Sequence, residues 1–107
     1  MGKSSQRKGA AGEQELAHIL QRAGYAVERG GSQTYGTVPD IVGLPGVHIE
    51  CKRQERLNLS AAMAQAIRDA QRFQDGVPAV FHRRSREAWM VTMLLNDWIK
   101  LYGRDQK

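Results

Sequence analysis

Short apolar runs in the middle of the chain have the pattern of β-strands. Residues 41–44 form one run and residues 47–51 form the next, with Pro45-Gly46 between them. Proline presets φ at one position of a tight turn, and glycine tolerates a positive φ at another. The pattern therefore predicts two short strands joined by a turn. Side chains alternate between the faces of a strand, so one face of the second strand carries His48, Glu50 and Lys52.

Three other stretches carry apolar residues at the spacing of amphipathic helices. The first covers residues 9–23 and is predicted to end at Gly24, in the position after the C-cap. The second covers residues 59–73, with Ser60 as its expected N-cap. The third covers residues 94–102. Its inward-facing residues are expected to be Leu95, Trp98, Leu101 and Tyr102.

The order of these elements indicates the fold class. Residues 25–29, 77–82 and 88–93 also have the composition of strands. A helix, three strands, a helix, two strands and a closing helix predict an α/β sandwich around a mixed sheet. The 107 residues are enough for one domain. Residues 1–8, which are polar and basic, are expected to form a flexible arm.

Charge and cysteine content narrow the range of partners. The chain has 16 Lys and Arg against 11 Asp and Glu, a net charge of +5, which favours nucleic acid over a membrane as a partner. A single cysteine excludes an internal disulfide and a thiolate metal cluster. No apolar run is long enough to span a bilayer, and no apolar segment follows the basic N-terminus. We therefore expect a cytoplasmic protein.

The predicted hairpin brings together groups that could hold a metal ion. Pairing of its strands would place Asp40 near Glu50 and Lys52. Two adjacent carboxylates repel each other, and a divalent cation removes that repulsion. A neighbouring lysine can orient a water or stabilise charge on a phosphate. These are the components of metal-assisted phosphodiester hydrolysis.

Two motifs resemble a known nuclease group. Pro39-Asp40, nine residues and then Glu50-Cys51-Lys52 are similar to the PD-(D/E)XK signature of restriction-endonuclease-like nucleases. Residues 7–13, a basic and glycine-containing opening of a helix, resemble the start of archaeal-type Holliday junction resolvases. The resemblance covers residues 7–82 in element order. It implies an αβββαβ core, in which a central mixed β-sheet is flanked by helices, and a single nuclease domain over residues 1–107.

The resemblance also implies an activity and the residues that perform it. The expected enzyme is a Mg²⁺-dependent DNA endonuclease, with Mn²⁺ as a substitute, that cuts branched DNA as a homodimer. The resemblance also implies that it is associated with a prokaryotic or viral nucleoid. Lys52 would orient the attacking water or stabilise the scissile phosphate, and Ser32 and Gln54 would support the site. The implied metal ligands are Glu13, Asp40, Glu50 and the backbone carbonyl of Cys51.

Helical geometry alone does not select the first acidic residue. Glu13 and Glu15 lie on opposite flanks of the apolar stripe, at about 100° per residue. Either acid would also interact favourably with the helix N-terminus. Only the resemblance selects Glu13.

Basic residues near the predicted site are candidates for contact with DNA. These residues are Lys8, Arg53, Arg56, Arg83, Arg84 and Arg86. The alternative for Lys8 is a solvated tail, and the alternative for Arg83, Arg84 and Arg86 is a charged turn that keeps a sheet edge soluble. For Gln65, Arg68 and Arg72, on the outer face of the second helix, we expect solvation rather than contact.

Other functions remain possible at this point. A related nuclease could act on flaps, gapped duplex or other DNA. The fold could instead serve as a non-catalytic nucleic-acid-binding domain. The Asp40 and Glu50 carboxylates argue against this alternative, because they repel each other unless a metal ion is bound. A surface salt-bridge cluster is the least favoured alternative, because such pairs contribute only about 0–1 kcal/mol.

Overall fold

A computed structural model of the chain describes residues 2–30 and 38–105, with side chains described for residues 9–30 and 38–104. Its helices are α1 (Gly2–Arg22), α2 (Leu59–Phe73) and α3 (Leu95–Asp105). Its strands are β1 (Glu28–Arg29), β2 (Ile41–Val42), β3 (Val47–Arg53), β4 (Val77–Arg83) and β5 (Met90–Met93). None of the described helices has both the length and the apolar character needed to cross a membrane.

The five strands form one mixed sheet in the order β1-β2-β3-β4-β5. Strands β3 and β4 are parallel, and the other neighbours are antiparallel. Parallel neighbours require a crossover connection, and α2 provides it. The predicted mixed sheet flanked by helices is confirmed.

The two faces of the sheet pack against different helices. Leu16 and Ala17 of α1 pack with Ile49 and Cys51 on one face. Ala62 and Ala66 of α2 pack on Val80 on the other. Because residues alternate along β3, His48, Glu50 and Lys52 face the side covered by α2, as His48 shows by stacking on Phe73.

Two local signals read from the sequence are confirmed. Val47 donates its backbone N–H to the carbonyl of Leu44, and Gly46 has φ of 79° in the turn between β2 and β3. Gly24 has φ of 105°, and Tyr25 donates to the carbonyl of Leu20, which closes the C-terminus of α1 as a Schellman motif.

Two helix starts differ from the prediction. Helix α1 begins at Gly2, so residues 2–8 are helical rather than a frayed arm. This segment contains no proline, and Lys, Gln and Arg extend an established helix at little cost. The N-cap of α2 is Asn58, not Ser60: the Asn58 side chain accepts from the Ala61 N–H at 3.0 Å. Asparagine is as strong an N-cap as serine.

The apolar face of α3 does not pack inward as expected. Leu95 is 69% exposed, and Trp98 and Tyr102 are about half exposed. Together with Ile99 they lie at i, i+3, i+4 and i+7 and form one stripe. Amphipathic spacing predicted the helix correctly, but it cannot say which molecule covers the apolar face.

Candidate active site

The β2–β3 pairing brings the two motif carboxylates level with each other. Ile41 pairs with Ile49, so Asp40, one residue earlier, lies opposite Glu50, one residue later. The Cys51 backbone N–H donates to Asp40 Oδ2 at 3.0 Å. This bond holds the Asp40 carboxylate beside β3.

Gly30 allows the preceding strand to approach the motif closely. Its N–H donates to the Asp40 carbonyl at 2.9 Å. A Cβ at this position would collide with the carbonyl oxygen of Pro39. The absence of a side chain therefore lets β1 support the Pro39-Asp40 segment directly.

An open pocket of roughly 670 Å³ contains the predicted catalytic residues. Its walls include Glu13 from α1 and Asp40 from the start of β2. Strand β3 contributes the remaining members and their neighbours: Glu50, Cys51, Lys52, Arg53 and Gln54. The structure thus places every described member of the predicted catalytic and metal-binding set around one cavity.

Three carboxylates of this pocket, those of Glu13, Asp40 and Glu50, have only two cations beside them among the described residues, Arg29 and Lys52. Burial, and then the charge of Glu50, raise the pKa of Asp40 to about 7, and Glu13 adds to this effect. Burial likewise raises the pKa of Glu13, although the hydrogen bond from Arg29 opposes it. Arg29 pairs with Glu13, and Lys52 Nζ lies 3.8 Å from Glu50 Oε2. Such a donor set fits a divalent cation, which would remove the remaining repulsion.

The comparisons with known proteins agree with this geometry. A family model of the archaeal Holliday junction resolvases (Hjc) matches residues 4–100. The chain belongs to this family. The match extends beyond residues 7–82, the part of the chain that the motif-based resemblance covers. No curated protein matches the chain in sequence.

A solved structure of the same family has a similar fold. It is Hjc from Archaeoglobus fulgidus, described as a Holliday junction resolvase from an archaeal hyperthermophile. The identity is 29% and the TM-score is 0.59, over 80% of this chain and 72% of that chain. The archaeal resolvase is thus similar over most of the present chain.

Within this resolvase-family fold, the two glutamates of α1 have different surroundings. Glu13 faces the pocket, whereas Glu15 accepts from Arg83 Nε at 2.7 Å and from Trp89 Nε1 at 2.7 Å. Gly12 brings this part of α1 close to β3, because a Cβ there would lie 2.7 Å from Arg53 Cβ. Of the two acids, Glu13 is therefore the one placed near Asp40 and Glu50.

Helix α2 contributes a pocket wall that the sequence analysis missed. Four polar residues of one helical stripe line the cavity: Gln65, Arg68, Asp69 and Arg72. Three of them were expected to be solvated only. Their i, i+3, i+4, i+7 spacing shows that they share one face of the helix. The sequence did not indicate that this face lies toward β3.

The predicted DNA-contact residues fall into different environments. Arg83 is held by both carboxylate oxygens of Glu15, and Arg84 pairs with Glu87 at 2.9 Å. Arg86 is exposed at the tip of the turn, and Arg56 is exposed beside the pocket strand. Arg53 lines the pocket and donates to Ser85 at 3.2 Å. Ser32 and the side chain of Lys8 lie outside the described residues.

Proposed function

We infer that this chain is a divalent-metal-dependent endonuclease that hydrolyses phosphodiester bonds of branched DNA. Its family is that of Holliday junction resolvases, so the chain is a resolvase-like nuclease. The raised pKa of Asp40 is the observation that assigns the activity to this pocket. A carboxyl whose pKa is raised to about 7 beside two further carboxylates needs a cation to ionise fully at neutral pH.

The proposed roles follow from where each group lies. Asp40 and Glu50 would hold the ion, with Glu13 and the Cys51 carbonyl completing the oxygen set. These are hard ligands, which favour Mg²⁺, with Mn²⁺ as a substitute. A bound divalent cation supplies polarisation of the attacking water and of the phosphate oxygen.

Lys52 would act on the water or the phosphate directly. It is partly exposed and projects from the same face of β3 as Glu50. Its ammonium can orient the attacking water by donating a hydrogen bond to the water oxygen, since it has three N–H donors and no acceptor. It can also stabilise the negative charge that develops at the scissile phosphate. Ser32 and Gln54 retain the supporting role that the family resemblance implies.

DNA would follow the basic rim of the pocket. Arg53, Arg68 and Arg72 line the cavity itself. Arg56, Arg84 and Arg86 are exposed nearby along the chain, and Lys8 precedes the pocket residues of α1. These cations can neutralise phosphates without reading sequence. Arg83, bound to Glu15, would support the turn that presents Arg86.

A homodimer would meet the need for two active sites. Resolving a four-way junction requires paired cuts, which a two-fold symmetric pair of subunits provides. The apolar stripe of α3 and the exposed Met90 and Val91 of the edge strand β5 are apolar surfaces that such an interface would cover. Sedimentation analysis should give a dimer, and Trp98→Lys should give a monomer; an unchanged mass would reject this surface.

The experiment that tests the activity compares several DNA substrates. Labelled four-way junction, flap, plain duplex and single strand are incubated with Mg²⁺, Mn²⁺ or EDTA. Wild type should make paired symmetric cuts near the branch point with either ion and none in EDTA. Glu50→Ala should bind the junction without cutting it, whereas Glu87→Ala, altered outside the pocket, should cut normally.

The possible contrary results have different meanings. Cutting by Glu50→Ala at the wild-type rate would reject this pocket as the active site. Metal-dependent cutting of flaps in preference to junctions would retain the nuclease and replace the substrate. Tight binding with no cutting under either ion would reject the nuclease and favour a binding domain.

A further inference from the structure

A buried histidine lies immediately behind the proposed catalytic carboxylate. His48 precedes Glu50 by two residues on β3 and shares its face, and its side chain is only 1% exposed. Its Nε2 atom has no hydrogen-bond partner among the described residues. A buried polar atom without a partner costs free energy comparable to a lost hydrogen bond. Something other than the described side chains is therefore expected to satisfy it.

The other nitrogen of this ring is held firmly. His48 Nδ1 lies 2.9 Å from both carboxylate oxygens of Asp75, just beyond the end of α2. An ionised carboxylate only accepts, so Nδ1 carries the hydrogen, and in the neutral ring Nε2 presents its lone pair. Histidines that bind a metal through one ring nitrogen characteristically donate a hydrogen bond from the other, often to a carboxylate, in this way.

Two carboxylates lie near this ring. Suitable donor atoms of His48, Glu50 and Asp69 all lie within 4.8 Å of one another. Donor atoms of one tetrahedral ion with bonds of about 2.0–2.2 Å lie roughly 3.3–3.6 Å apart, so a bound cation would draw these groups closer together than they are in the metal-free chain. The separation of 3.7 Å between His48 Nε2 and Glu50 Oε1 is too long for a hydrogen bond.

Glu50 can serve this group and the proposed catalytic ion at the same time. Its Oε1 atom is the one nearest His48, whereas Oε2 is the one nearest Lys52. Asp40 and Glu13 do not belong to the histidine group. The two sets of ligands therefore share a single carboxylate and differ in character, since only one contains nitrogen.

From this geometry we propose that His48, Glu50 and Asp69 form a second cation site, specific for a borderline transition-metal ion such as Zn²⁺. Imidazole favours such ions over Mg²⁺, and three protein ligands leave one position for water. The filled site would connect α2 to β3 and would fix the orientation of Glu50 from its buried side.

Metal binding to the DNA-free protein tests the proposal without reading cleavage. Co²⁺ is titrated into metal-free protein and followed by its visible absorption, and X-ray absorption identifies nitrogen among its ligands. We expect saturable binding with one imidazole ligand, displacement by Zn²⁺ and little displacement by millimolar Mg²⁺. Zn²⁺ should also raise the thermal unfolding midpoint.

Variants separate this site from the proposed catalytic one. Asp69→Asn, on the partly exposed side, should weaken Co²⁺ binding at least about 10-fold and remove the thermal shift. Asp75→Asn should weaken it about 10–100-fold through the orientation of His48. His48→Gln should remove the imidazole signal. The control His18→Gln, on the exposed side of α1, and Asp40→Asn should bind within about threefold of wild type.

The opposite pattern would overturn the proposal. If Asp40→Asn lost Co²⁺ binding while Asp69→Asn and His48→Gln retained it, the ion would belong to the catalytic carboxylates. Absence of saturable Co²⁺ and Zn²⁺ binding in wild type would show that His48 only balances the charge of Glu50. Circular dichroism of each variant establishes that it is folded, and Asp69→Asn decides the result if His48→Gln is not.

Discussion

Glu13 and Glu15 lie two residues apart on α1 and belong to charge clusters of opposite character. Glu15 accepts two hydrogen bonds from Arg83 and one from Trp89. Burial acts against its ionised form, but these hydrogen bonds outweigh it and lower the pKa of Glu15. Glu13 faces Asp40 and a nearly buried Glu50, and its pKa is raised.

The difference separates a cluster that balances its own charge from the cluster that we propose to be functional. The Glu15 group contains its own positive charge, so it can fasten α1 to β4 without any ligand. Glu13, Asp40 and Glu50 lie together in the pocket, with Arg29 on Glu13 and Lys52 near Glu50. An excess of buried negative charge is costly in the free protein, and it is retained where an ion or substrate supplies the missing charge.

The largest expected effect concerns Lys52, the pocket cation that lies near Glu50. Lys52→Met keeps the length of the side chain and removes its charge. The rate of junction cleavage should fall about 10²–10³-fold, because a donor aimed at developing charge is lost. Single-turnover cleavage at saturating protein measures this loss apart from binding. A fall of less than about threefold would exclude a direct role for Lys52.

The next effect is the pH dependence of stability in the metal-free protein. Burial, with the charge of Glu50, raises the pKa of Asp40 from 3.8 in the unfolded chain to about 7 in the folded protein. The folded state thus binds this proton more tightly, and the stabilisation is complete below about pH 4 and lost as the pH rises through about 7. The free energy of unfolding should decrease by up to about 1.4 kcal/mol per pH unit in that window.

Asp40→Asn provides the comparison for this pH effect. The asparagine can still accept from the Cys51 N–H but does not titrate. Urea unfolding in EDTA between pH 4 and 8 should show the decrease in wild type and a smaller one in the variant. Equal slopes in the two proteins would mean that Asp40 is not the group with the raised pKa.

A smaller effect is expected at the paired cluster. Glu15→Gln removes the charge that Arg83 binds and should lower the free energy of unfolding by about 1–2 kcal/mol, a range reduced for the partial exposure of Glu15. Cleavage per folded molecule should persist. The matched control is Glu87→Gln, which breaks the exposed Arg84 pair and should cost less than about 0.5 kcal/mol. Similar losses of unfolding free energy in Glu15→Gln and Glu87→Gln would show that the Glu15 hydrogen bonds stabilise the fold no more than an exposed ion pair does.

The smallest effect is expected at the tip of the β4–β5 turn. Arg86→Ala should weaken junction binding equally for all sequences and reduce the slope of log K against log salt by about one. Arg22→Ala, at the end of α1 away from the pocket, is the matched control. An unchanged slope for Arg86→Ala would exclude a phosphate contact by Arg86.

Features set by residues close together in the sequence were predicted, whereas features set by the packing of distant segments were not. Pro45-Gly46 and the alternation of β3 are local, and they sufficed to predict that Asp40 would face Glu50. The polar stripe of α2 and the partner of Arg83 depend on which helix packs on which face of the sheet. That information is long-range, so Arg72 was assigned to solvent and the Glu15–Arg83 pair was not foreseen.

The apolar stripe of α3 shows a different limit. Its spacing gave the helix, but burial depends on what lies against it, and the described part of this chain leaves Leu95 and Trp98 exposed. The group of His48, Glu50 and Asp69 was missed for a related reason. Residues on β3 and α2 meet only after the crossover connection has folded.

The most direct test of the contrast between the two clusters is the single-turnover cleavage rate of a four-way junction by Asp40→Asn and Glu15→Gln, measured side by side with Mg²⁺. Both variants should be folded and should bind the junction. We predict that Asp40→Asn loses at least about 100-fold in rate, whereas Glu15→Gln stays within a few-fold of wild type. Near-normal cleavage by Asp40→Asn, or a comparable loss in Glu15→Gln, would contradict the division into a functional and a structural cluster.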